Sequence, residues 1–109
     1  MDLNVVVLAG VLACDPEIQT FDSGATLARY LVVVRSQTPD PRLDVIPVTL
    51  WGPDEESINT LVAGTGVWIV GTVQRRFWRQ AVDRPSQLEV VALEVTARSV
   101  EDAVEVDVG

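Results

Sequence analysis

Gln74-Arg75-Arg76-Phe77-Trp78-Arg79 places three arginines within five residues, with two aromatics between them. A guanidinium neutralises phosphate, and an aromatic face stacks on a base. A groove for single-stranded nucleic acid uses both together. The sign of this cluster is opposite to that of the whole chain, which carries 8 Lys+Arg against 16 Asp+Glu, a formal charge of −8. Every one of those cations is an arginine. From Arg75 to Arg84, four arginines meet one acid, Asp83, whereas Glu101, Asp102, Glu105 and Asp107 leave residues 99–109 purely acidic. The sum argues against general nucleic-acid binding; the distribution argues for one local basic face.

Other chemistry is restricted. The chain has no histidine, so Ser-His and Cys-His catalysis and His/Cys metal ligation are excluded. A lone cysteine, Cys14, closes no internal disulfide and makes no zinc site by itself; it reads as a packed small residue. Asp54-Glu55-Glu56 complements the positive end of a helix. Glu101-Asp102 lacks the ligand spacing of a calcium loop, and Gly64-Thr65-Gly66 is too short for a phosphate loop. The expectation is therefore no enzyme, no metal and no cofactor. Met1-Asp2-Leu3 opens without a basic segment or a cleavage signature. No apolar run approaches the ~18–20 residues of a membrane span. A cytoplasmic protein without a membrane partner is expected.

The cluster must be held by strands. Leu3 to Leu12 is a nearly continuous valine-rich run ended by Asp15-Pro16. Ile18 to Phe21 is a short strand closed by the turn signal Asp22-Ser23-Gly24. Leu27 to Arg35 and Asp44 to Trp51 follow, separated by the proline-containing loop from Gln37 to Arg42. Pro53 suits a first helical position, Ile58, Leu61 and Val62 form an apolar stripe, and Gly64 suits the helix end. Val67 to Trp78 and Leu88 to Arg98 complete the order β-β-β-α-β-β. At 109 residues and 48% hydrophobic, the chain supports one core. Residues 1–98 are expected to form the domain, and the acidic end 99–109 to be flexible. All-β with one short helix in this order is that of the OB-fold, a five-stranded Greek-key barrel. Other small barrels share the pattern.

Asn4 to Leu12, Asp15-Pro16-Glu17, Ser23-Gly24, Val48-Thr49-Leu50-Trp51-Gly52, Gly71-Thr72-Val73 running to Arg76-Phe77-Trp78, and Glu89-Val90-Val91-Ala92 with Val95 appear in this order. The whole set resembles the bacterial single-stranded DNA-binding protein family, as a divergent, tail-less member. The resemblance covers about residues 3 to 98. It implies sequence-independent binding and protection of single-stranded DNA in replication, repair or recombination, by a nucleoid-associated homotetramer or dimer. It also implies that Trp51 and Trp78 occupy base-stacking positions, and that Thr38 and Val45 replace two further aromatics of the family. The Gly/Pro/Gln-rich tail and its Pro-Phe ending are not matched, so partners recruited through such a tip are not expected.

Strand parity sorts the candidates, because successive side chains face opposite ways. Val67, Ile69, Gly71 and Val73 read as interior; Trp68, Val70, Thr72, Gln74, Arg76 and Trp78 read as exterior. Arg76 and Trp78 then point together, while Phe77 packs inward. Trp51 lies on the less apolar face of its strand. Arg29 and Arg35 share one face, with Tyr30 on the other. Together with Arg75, Arg76, Arg79 and Arg84 they line a phosphate path, whereas singly each reads as a solvated charge. Trp78 is a stacking residue or a hairpin-packing one. Trp68 and Val70 form a subunit interface, or Trp68 covers a core edge. A protein-interaction module with weak DNA binding is the competing function.

Overall fold

In the computed structural model, residues 1–76 and 87–98 are described, Arg76 through its backbone alone. Phe77, Trp78, Arg79 and Arg84, and the expected flexible end 99–109, lie outside the described residues. The elements are β1 (Val6–Leu12), β2 (Glu17–Thr20), β3 (Thr26–Ser36), β4 (Arg42–Trp51), α1 (Glu55–Thr60), β5 (Gly66–Arg76) and β6 (Gln87–Ala97). The sheet runs β1-β5-β6-β4-β3-β2, and β1 pairs again with β3. That second pairing closes β1, β5, β6, β4 and β3 into a five-stranded barrel and leaves β2 as a flap on β3. All pairs are antiparallel except β4 with β6, which join in parallel at Val48↔Val90 and Thr49↔Val91. This is the OB-fold barrel expected from the element order.

Alternation fills the barrel. Val67 and Ile69 are fully buried, while Trp68 and Val70 between and beside them are 37% and 38% exposed. Leu12, Ala28, Tyr30, Val32, Val48, Leu61 and Ala92 complete the core with them. The alternation on β6 is interrupted once. Val70 faces Glu94 and Gly71 faces Ala92, so Leu93 is an extra residue bulged out of the ladder. The bulge changes inward parity from Val90 and Ala92 to Val95 and bends the strand, as barrel closure requires.

Two glycines permit the closure. A Cβ on Gly10 would overlap the Val33 carbonyl and come within 2.8 Å of Val32 Cγ1. One on Gly71 would overlap the Val91 carbonyl and lie 2.9 Å from Ala92 Cα. Gly10 sits just before β1 transfers its pairing from β5 to β3 at Val11 and Leu12.

The helix is shorter than the sequence pattern predicts. Asp54 caps it, accepting a 2.7 Å bond from the Ser57 N–H, so Pro53 lies before the cap. Leu61 is buried, but Val62 is 42% exposed. Val62 belongs to the turn that returns the chain to β5, where the Thr65 N–H donates to its carbonyl and Gly64 has φ of +86°. That turn is tied to β1 by Gly64 N–H to the Leu12 carbonyl and Leu12 N–H to the Thr65 carbonyl. Asp15 adds a bond from the Ala63 N–H. At the start of the chain Asn4 extends the β1–β5 ladder by side chain, bonding both the N–H and the carbonyl of Val73.

Gly10→Ala and Gly71→Ala should each lose about 1–3 kcal/mol in urea denaturation through overpacking. Gly24→Ala should lose about 1–2 kcal/mol for a different reason: its φ is +91° while no neighbour lies within 4 Å of the new Cβ. A Gly10→Ala protein as stable as the parent would remove the closure argument. The Asp54 carboxyl is held below its ordinary pKa by hydrogen bonds from Ser57, the side chain first and then the backbone. Its contribution is present above the unfolded pKa and is lost as pH falls through the folded one. Asp54→Asn keeps a cap acceptor without a titrating group, so its stability should fall less steeply over that acid range in pH-dependent melting.

Candidate nucleic-acid interface

β3 and β4 run together from Leu27↔Trp51 to Ser36↔Arg42. Their outward rows are Arg29, Leu31, Val33 and Arg35 on one strand and Trp51, Thr49, Pro47, Val45 and Leu43 on the other, while Leu27, at the end of the first row, is fully buried. Pro47 fits this strand because β4 pairs with β6 only at residues 48 and 49, so its missing N–H breaks no ladder bond on that side. Where β6 departs from β4, a groove of about 610 Å³ opens. Its floor carries Arg29, Leu31, Pro47 and Thr49; Cys14, Asp15 and Glu17 line one side and Gln87, Leu88 and Glu89 the other.

Of the sequence-predicted binding residues, Arg29 lines this groove. Trp51 stands two positions beyond Thr49 on the same outward row and is 50% exposed. Arg35 is exposed on the row of Arg29 but opposite Leu43, six residues on, or about 20 Å at strand rise. Arg75 is exposed and pairs with Leu88 at the base of the β5–β6 hairpin. By pleat it shares the side of Val73, which lines the groove. Arg76 continues the ladder opposite Gln87. Of these arginines, Arg29 is in the groove, Arg75 is on the side of a groove-lining residue and Arg35 is at the far end of the β3 row. Val45, at a position where the resembled family has an aromatic, is 51% exposed on the same face.

Other features of the site carry no mark in the sequence. Phe21 stacks on Trp51, with ring centroids 5.6 Å apart and planes at 28°. A residue ahead of a turn signal carries no mark of a partner thirty positions away. The groove also holds more acid than base, with Asp15, Glu17 and Glu89 against Arg29. Glu17 stands directly opposite Arg29 in the β2–β3 ladder, an arrangement that favours opposite charges. Thr49, only 7% exposed, donates to Glu89 at 3.5 Å. Tyr30 reaches the groove from below but is 1% exposed. Burial, and next the Asp54 charge, push its pKa up, so it remains a phenol. Among the described residues, no group of three or more His, Cys, Asp or Glu side chains is placed to hold a metal ion.

The outer surface of β1 and β5 is apolar. Val7 pairs with Val70 and Ala9 with Trp68; Val7 is 60% exposed, and Val11 39%. Trp68 is 37% exposed on this surface. The Arg98 guanidinium lies 5.5 Å from its ring centroid and donates to the Gly10 carbonyl at 2.9 Å.

A family model described as "Single-strand binding protein family" matches residues 3–100. The single-stranded DNA-binding protein of Thermosynechococcus vestitus is 32% identical over 95 residues, spanning 84% of this chain and 79% of that protein. That of Enterococcus faecalis is 33% identical over 95 residues, spanning 82% of this chain but half of the longer protein. Among solved structures, the wild-type single-stranded DNA binding protein from Thermus aquaticus superposes with a TM-score of 0.81 at 20% identity. The overlap covers 92% of this chain and 52% of that one. At that identity the likeness concerns the fold.

Proposed function

The chain belongs to the single-strand binding protein family, and from that premise we propose that it binds and protects single-stranded DNA without sequence preference, in replication, repair or recombination. The observation that carries the reading is Trp51, a half-exposed indole on the outward row that continues into the groove floor. A base stacks on that ring, Leu31 and Pro47 in the groove floor and the exposed Val45 beyond them accept neighbouring bases, and Arg29, Arg35, Arg75, Arg76, Arg79 and Arg84 meet phosphates. Trp78 supplies a second stacking surface. The role is non-catalytic. It is exercised in the cytoplasm, on the nucleoid; no helix among the described residues is long and apolar enough to cross a membrane.

The protein acts as a homo-oligomer, a dimer or a tetramer, through the outer face of β1 and β5. Exposed apolar side chains at Val7, Val11, Trp68 and Val70 support this, since contiguous patches of that kind mark interaction surfaces. A second reading, a protein-interaction module with weak DNA binding, is favoured by the three carboxylates in the groove.

Titration with a thymine homopolymer separates the two readings. Tryptophan fluorescence should quench strongly, and log Kd should vary with log salt at about 0.7 per phosphate neutralised. Trp51→Ala should weaken binding by about 1–3 kcal/mol. Absence of quenching at low salt and micromolar protein would leave the interaction-module reading. For assembly, sedimentation velocity should give a dimer or tetramer, converted to monomer by Val7→Glu with Val70→Glu. A parent protein that is monomeric at high concentration refutes the β1–β5 interface.

A further inference from the structure

We propose that Phe21 is a positioning residue that makes Trp51 a one-sided platform: it covers one face of the indole and leaves the opposite face for a single base. The proposal rests on the single-stranded DNA reading above and deepens it. Trp51 ends β4, and its side chain stands clear of the core, half exposed. An isolated indole in that position rotates among rotamers and offers either face, and binding a base must then freeze it. Here the Phe21 ring is stacked on it at 5.6 Å between centroids and 28° between planes. That separation is an offset stack of two rings in contact, with no room for a base between them.

The backbone on both sides is built to keep the pair together. Phe21 opens the turn between β2 and β3; its N–H donates to the Ala25 carbonyl, and its own carbonyl accepts from the Gly24 N–H, both at 2.9 Å. Gly24 takes φ of +91°, the left-handed conformation that reverses the chain there. Thr20↔Thr26 closes the ladder below the turn. On the other strand Leu27↔Trp51 ends the β3–β4 ladder, and Gly52 N–H donates to the Thr26 carbonyl at 2.8 Å. Thr26 is therefore bonded to the strand that carries Trp51 and paired within the hairpin that carries Phe21. The two rings meet because one residue anchors both backbones.

Two consequences follow. Trp51 takes one base, on the face away from Phe21. Phe21 also acts through Trp51 and has no independent effect on the strand. A double-mutant cycle reads the second consequence. Affinity for a thymine oligomer at fixed salt is measured for the parent, Phe21→Ala, Phe21→Leu, Phe21→Tyr, Trp51→Ala and the Phe21→Ala/Trp51→Ala double variant, each with its melting curve. Phe21→Ala and Phe21→Leu should weaken binding by about 3–10-fold, the range expected for loss of an aromatic pair. Phe21→Tyr, which keeps the ring, should restore parent affinity and parent quenching at saturation. The double variant should bind like Trp51→Ala alone. Phe21→Leu preserves an apolar side chain at the turn and carries the test if Phe21→Ala fails to fold. Parent-like affinity in Phe21→Leu, or a Phe21→Ala loss that adds in full to that of Trp51→Ala, overturns the proposal. A parent protein that does not bind the oligomer defeats the DNA reading itself, a separate result.

Discussion

Closure of the barrel through β1 is the constraint on which the other features depend. One strand must pair with β5 along most of its length and with β3 at its end. A side chain at the point of transfer would occupy the space of the Val33 backbone, so the residue there is Gly10. Gly71 makes the corresponding concession where β6 crosses, next to the Leu93 bulge. Once β1 has joined the two edges, β6 is brought alongside β4 for only two residues. The rest of β6 diverges, and the opening left between β4 and the β5–β6 hairpin is the groove. The groove is thus a product of how the sheet closes.

This explains what was legible in the sequence. Alternation along Val67, Trp68, Ile69 and Val70 is a local signal, and burial follows it residue by residue. The outward placement of Trp51 and Arg29 follows from the same parity. The Leu93 bulge was not legible, because an extra residue in a strand leaves no composition mark when both neighbours tolerate a strand. The helix start was misplaced for a physical reason. Pro53 satisfies a first-turn preference, yet Asp54 supplies an acceptor for the Ser57 N–H, and that bond starts the helix at Glu55, two residues later. Val62 keeps the helical spacing of Ile58 but lies past the last turn, where the chain is already bonded toward β1.

The candidate site was legible only where one strand decides the matter. Arg29 and Arg35 do share a face, as parity requires, but the groove takes in only one of them because its boundary is set by β6. Asp15, Glu17 and Glu89 each look like an ordinary surface acid. They converge through a loop, a flap strand and a strand that pairs in parallel, connections that no local pattern encodes. Phe21 is the same case in aromatic form, brought to Trp51 by the β2–β3 turn.

The acids in the groove also bear on how such a surface holds a polyanion. A strand that entered phosphates first would meet three carboxylates and one guanidinium, a net repulsion at short range. A strand that entered bases first would meet Leu31 and Pro47 in the groove and Trp51 and Val45 along the same row, with its phosphates outside. There the Debye length of about 10 Å at 0.1 M salt screens most of the distant negative charge, and local arginines dominate what a phosphate experiences. The carboxylates then oppose one orientation of the strand more than they oppose binding. On the proposed reading, contact with Trp51 and with the apolar residues of the groove would favour unpaired bases, because a duplex presents its phosphates outward and its bases to each other.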